Sequence, residues 1–166
     1  MRRRSRKSIH GSHIVVLSLA ALVLAAGSRP VAFLYAQGGA RIDGAGISKV
    51  GRDTRKLTVS AQAPAGSSGA SGTVQFIHNS PAGLSRFRGT ITCLSVSGGV
   101  AQISGAIEKG ETATGALLDG KAYAFTISTS GTPQTFSLPT VGESIGPCSG
   151  GSSQTVPVTE DGFKLQ

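Results

Sequence analysis

Thr92-Cys93-Leu94-Ser95-Val96-Ser97-Gly98-Gly99-Val100-Ala101-Gln102-Ile103-Ser104 is the stretch from which the fold is read. The adjacent glycines Gly98 and Gly99 supply the positive φ that both central residues of a tight primed hairpin turn require. Folding the chain about them sets Val96 opposite Ala101 and Leu94 opposite Ile103, and these four then share one face. The same register puts Cys93 opposite Ser104, on the other face with Ile91, Ala106 and, further upstream, Phe87. Apolar side chains on both faces predict a central hairpin covered on both sides.

The period of two continues outward. Leu57, Val59, Ala61 and Ala63 alternate with Thr58, Ser60 and Gln62, and Tyr123, Phe125 and Ile127 with Ala124, Thr126 and Ser128. Val74 with Phe76, and Phe136 with Leu138, make shorter copies. Gly66-Ser67-Ser68-Gly69 and Gly150-Gly151-Ser152-Ser153 punctuate the chain, and nothing after residue 36 sustains a helical stripe over three turns. The expected class is all-β: a single antiparallel β-sandwich or barrel-like domain behind an N-terminal signal peptide.

The hairpin Thr92-Cys93-Leu94-Ser95-Val96, Gly98-Gly99, Ala101-Gln102-Ile103-Ser104-Gly105-Ala106-Ile107 resembles a pattern in uncharacterised exported bacterial β-rich proteins. Val74-Gln75-Phe76 before it and Tyr123-Ala124-Phe125-Thr126-Ile127 after it extend the resemblance over roughly residues 55–140. It implies a β fold and carries no activity. The later strand departs from the pattern, running into Ser128-Thr129-Ser130-Gly131-Thr132-Pro133 instead of an Asp- and Gly-rich turn. A calcium loop would lack its oxygen ligands there.

Residues 1–36 read as an export leader. A basic start from Arg2 to Lys7 precedes an uncharged apolar run from Ile14 to Ala26. Cleavage after Ala36 leaves Gln37-Gly38-Gly39 as a polar start, and cleavage after Gly27 is the alternative. An uncleaved anchor over residues 14–36 is the rival reading, and membrane contact is expected only through such a leader. Six of the sixteen basic residues lie in this leader, leaving ten against eight acids over 37–166. The net charge of +8 therefore belongs mostly to the leader, and no nucleic-acid partner is expected. The mature chain of 37–166 suits one domain, secreted or periplasmic. In an oxidising compartment Cys93 and Cys148 read first as a disulfide. Two cysteines and one mature histidine, His78, are too few for a zinc site, and no cofactor is expected.

No catalytic constellation stands out. Gly115-Ala116-Leu117-Leu118-Asp119-Gly120-Lys121 fits the start of a phosphate-binding loop, but Ala122 follows where a magnesium-binding hydroxyl is needed, and a strand follows instead of a helix. Asp119-Gly120 reads as a tight turn. His78, near Ser80 at a strand end, reads as a surface residue with no acid close in sequence. Asp53 reads as part of a charge-balanced turn, and Glu108 and Glu111 about Lys109-Gly110 as a solvated loop. Arg86 and Arg88 flank Phe87, project from the opposite face, and are candidate contacts for an anionic envelope polymer or a protein partner.

The expectation is a non-catalytic envelope or extracellular module with a binding or structural role, its possible ligand contacts being Arg86, Arg88 and His78. The alternatives are an exported hydrolase using His78, or the same module on an uncleaved anchor. The module reading expects His78 exposed and alone; the hydrolase reading expects a pocket at His78 with a carboxylate nearby.

Overall fold

A computed structural model describes residues 39–67 and 69–166. The leader and both cleavage points lie outside the described residues. Ten strands follow one another: β1 (Ala40–Val50), β2 (Asp53–Ala63), β3 (Ser71–Ser80), β4 (Gly83–Ser97), β5 (Val100–Glu111), β6 (Ala122–Ser128), β7 (Thr135–Ser137), β8 (Thr140–Gly142), β9 (Thr155–Pro157) and β10 (Glu160–Leu165). They form one sheet in the order β10-β1-β2-β3-β4-β5-β6-β7-β9, with β8 also on β6, and every pairing is antiparallel.

The sheet curls into a half-barrel rather than splitting into a sandwich, because its two ends touch. Phe136 of β7 meets Phe163 of β10 edge-on, with ring centroids 6.3 Å apart. Gln134 makes the connection polar as well. Its Nε2 donates to the Phe163 carbonyl at 3.1 Å, and its Oε1 accepts the Phe163 N–H at 2.7 Å. One side-chain amide thus does the work of a ladder rung.

The interior face is the core. Leu57, Val59, Val74, Phe76, Phe87, Ile91, Ile103, Ile107, Tyr123, Phe125 and Phe136 are all buried in one cluster. β1 has no clear apolar alternation because Gly44 and Gly46 occupy interior positions. A Cβ at Gly46 would strike the Phe163 ring and the Val158 methyl, so glycine there admits an aromatic from β10.

The hairpin forms about Gly98 and Gly99, both at positive φ, with Val96↔Ala101, Leu94↔Ile103 and Cys93↔Ser104 paired as the sequence indicates. Upstream the expected faces change. Ile91 pairs with Gly105, not Ala106, because Thr92 is an extra residue between Ile91 and Cys93. This bulge resets the period of two. Ile91 and Phe87 therefore share the interior face with Leu94 and Ile103, and Cys93 alone turns outward with Ser104. A second irregularity skips Glu108, so Gly89 pairs with Ile107.

The hairpin's outer face is also covered. Cys148 is bonded to Cys93, with Cα atoms 5.2 Å apart, and its N–H donates to Ser104 Oγ at 3.0 Å. Beyond it Gly151 lies so close to Phe125 Cα, the Ala124 carbonyl and Ser137 Oγ that a Cβ has no room. This strip of the tail explains why Ala124 and Ser137, on the outer face, are buried.

Candidate functional site

Beside the stapled strip the outer face of β3–β5 is open. Register sets Gln75, Arg88 and Lys109 in one cross-strand row and Ile77, Arg86 and Glu111 in the next. A groove of about 290 Å³ runs over these rows, with Leu117, 69% exposed, at its rim. Two of its three cations are matched. Arg86 pairs with Glu111 at 2.9 Å, and Lys109 with Asp119 at 3.1 Å. Asp119 also accepts the Gly110 N–H at 2.8 Å. That backbone bond, with Lys109 second, holds the carboxyl below the usual carboxylate range. Arg88 has no ion-pair or hydrogen-bond partner among the described residues.

The sequence marks Arg86 and Arg88, but it does not mark Lys109 or Leu117 as their neighbours. Residues 108–111 also differ from expectation: they end β5 and are not a loop. The skipped Glu108 breaks the alternation that would have revealed the strand.

His78 sits elsewhere, on the interior face, and it is neither exposed nor alone. Its side chain is 26% exposed, and Asp53 Oδ2 lies 3.6 Å from its Nε2. Sequence order hides this acid, 25 positions earlier; β2–β3 pairing brings it in through Arg55↔His78. The row at this end of the half-barrel reads Ser48, Arg55, His78, Ser85 across β1 to β4. Arg55 Nη2 donates to Asp53 at 2.6 Å. Ser48 Oγ, Arg55 Nε and His78 Nε2 are buried without a hydrogen-bond partner, the three such side-chain atoms among the described residues. Each such atom costs about 1–3 kcal/mol, so three in adjacent positions mark this row out. Extending the alternation of β2 back from Leu57 to Arg55, and of β3 on from Phe76 to His78, would have placed both inside.

Next to the row is a cavity of about 210 Å³, lined by Phe76, His78, Ser85, Phe87, Leu138 and Val141 among others, with Arg86 at its edge. Ser85 Oγ accepts the Ala113 N–H at 2.9 Å. Ser80 is not the histidine's partner; its hydroxyl bonds the Gly83 carbonyl and the Ala82 N–H in the β3–β4 turn. At 3.6 Å Asp53 makes no hydrogen bond to His78, and Arg55 already holds the carboxylate. The phosphate-loop residues form the expected turn at Gly120, and Lys121 pairs with Glu143 at 3.0 Å. A comparison with protein-family models, curated proteins and solved structures finds no match for this chain.

Proposed function

We propose that this chain is an exported, non-catalytic β module that docks an anionic envelope polymer on the outer face of β3–β5. The observation that carries the reading is Arg88, unpaired at the centre of a groove whose other cations are matched. An unpaired guanidinium flanked by Gln75 and an exposed apolar rim suits repeated carboxylates or phosphates on an extended chain. The buried disulfide suits an oxidising compartment outside the cytoplasm.

Salt-gradient elution from immobilised alginate, a polyuronate, tests it. Arg88→Ala is expected to elute at lower salt than the parent. Arg52→Ala, which removes the same charge at the exposed β1–β2 turn, is expected to stay near the parent. Glu111→Gln, by releasing Arg86, is expected to shift elution to higher salt. Equal elution of the two arginine variants would refute a localised site.

The hydrolase reading gains one observation, the placing of Asp53 and Ser85 on either side of His78. A serine relay needs the acid bonded to the imidazole and the imidazole bonded to the hydroxyl. With Asp53 held by Arg55, the binding reading fits the geometry better. Ester hydrolysis abolished by His78→Ala would reverse that preference.

A further inference from the structure

The outer groove does not stop at Arg88. A second depression, of about 360 Å³, is lined by Thr58, Ser60, Thr73, Gln75 and Arg88, and a third, of about 280 Å³, by Arg41, Ser60, Gln62 and Ser71. The first and second share Gln75 and Arg88, and the second and third share Ser60. Together they make one track across the strands. It follows the cross-strand row Lys109↔Arg88↔Gln75↔Thr58 from β5 to β2, then slants along β2 through Ser60 to Gln62, opposite Arg41 of β1. Crossing from β5 to β1 takes about 19 Å at about 4.8 Å per strand.

The chemistry changes along the track. At β4 stands Arg88, the unpaired cation of the groove. In the middle Thr58, Thr73 and Gln75 make no side-chain hydrogen bond among the described residues. Hydroxyls and an amide both donate and accept, so they complement groups that do the same. Sugar hydroxyls meet that requirement, whereas the oxygens of a phosphate chain only accept. Phe87, the aromatic bordering the first depression, is buried in the core, so what the track offers is polar edges rather than a ring to stack on.

We infer that the occupant of this face is an acidic glycan lying across the strands. One sugar carboxylate sits on Arg88, and the hydroxyls of the following sugars sit on Thr73, Thr58 and Ser60. This rests on Arg88 as the anion contact and adds the class of polymer, its direction and its length. An extended glycan advances by about one strand spacing per ring, so about four sugars fill the track.

The test is titration of the full, disulfide-bonded protein with alginate oligosaccharides of two, four and six sugars, followed by backbone amide NMR shifts. Affinity is expected to rise about tenfold from the disaccharide to the tetrasaccharide and to level off beyond it. The amides of Ser60 and Thr73 are expected to shift with the tetrasaccharide and not with the disaccharide. Thr58→Val combined with Thr73→Val keeps shape and strand preference. It is expected to weaken the tetrasaccharide about tenfold and leave the disaccharide unchanged. Arg88→Ala is expected to weaken both. Polyphosphate, with charge and no hydroxyls, is expected to ignore the threonine substitutions; equal sensitivity to them would overturn the assignment to a sugar. Tetrasaccharide binding that depends on Arg88 and ignores the threonine substitutions would overturn the track while leaving the docking at Arg88. Binding that ignores Arg88→Ala would overturn both.

Discussion

Replacing both cysteines, as Cys93→Ala with Cys148→Ala, removes a cross-link that closes a loop of 55 residues. The chain-entropy relation assigns such a loop about 4 kcal/mol, exerted by restricting the unfolded chain. For a domain of this size each kcal/mol moves the midpoint by about 4 °C, so the variant should unfold about 15 °C lower. The structure adds a local consequence. Cys148 stands at φ +49, a conformation unfavourable for a residue with a Cβ, and its N–H bonds to Ser104 Oγ. Without the staple the strip that buries Ala124 and Ser137 is held by that bond, by the Gly151 N–H to Thr126 Oγ1 at 3.4 Å, and by the Ser152 N–H to the Leu138 carbonyl at 3.3 Å. Urea and thermal unfolding, followed by circular dichroism, measure the global term. Hydrogen exchange at Cys148, replaced by alanine in the variant, and at Gly151 measures the local one, with faster exchange expected there than in β2 and β3. A variant within about 1 kcal/mol of the parent would refute the loop-entropy reasoning.

Four further predictions concern the core and the surface. Tyr123→Phe removes the hydroxyl that donates to the Thr90 carbonyl at 2.9 Å, and urea unfolding should show a loss of about 2 kcal/mol from the buried acceptor left behind. In the parent, burial and then the negative charge of Glu108 push the Tyr123 phenol above its ordinary range, so it should show no ionisation in an ultraviolet titration up to pH 11. Gly151→Ala forces a Cβ against Phe125 Cα, the Ala124 carbonyl and Ser137 Oγ; a loss of about 2 kcal/mol is expected by thermal unfolding, with no change if the strip is loosely laid. Asp43, held low chiefly by the Arg41 hydrogen bond and then by Ser60, and Asp119, held low by the Gly110 N–H and then Lys109, have depressed folded pKa values. Their contribution is therefore complete above about pH 4 and is lost as pH falls below it, so the urea midpoint should decline there, less steeply in Asp119→Asn.

Much of the fold was legible because burial on one face of a strand writes a period of two into the chain. The Leu57–Ala63, Val74–Phe76 and Tyr123–Ile127 alternations are all interior positions, and Gly98-Gly99 carries its turn in its own backbone freedom. Where the pattern failed, a backbone irregularity or a glycine had interrupted it. Thr92 and Glu108 each shift the count by one, which inverted the face expected for Ile91 and Phe87 and hid the end of β5. Gly44 and Gly46 concealed β1, because the apolar group at that place, Phe163, comes from the far end of the chain.

The candidate sites divide along the same line. Arg86 and Arg88 are two residues apart on one strand, so their shared face follows from the local period. Their meaning depends on Glu111 and Asp119, which neutralise Arg86 and Lys109 and leave Arg88 unpaired. By itself the sequence determined the strand class, the central hairpin and its turn, and the pairing of its two cysteines, since each rests on neighbours in the chain or on a count of one. Only the tertiary structure decided which groups meet. The curl of the sheet joined β7 to β10 through Gln134, and strand pairing assembled Ser48, Arg55, His78 and Ser85 from four strands into one row. Such contacts depend on register, and a one-residue bulge far along a strand is enough to change it.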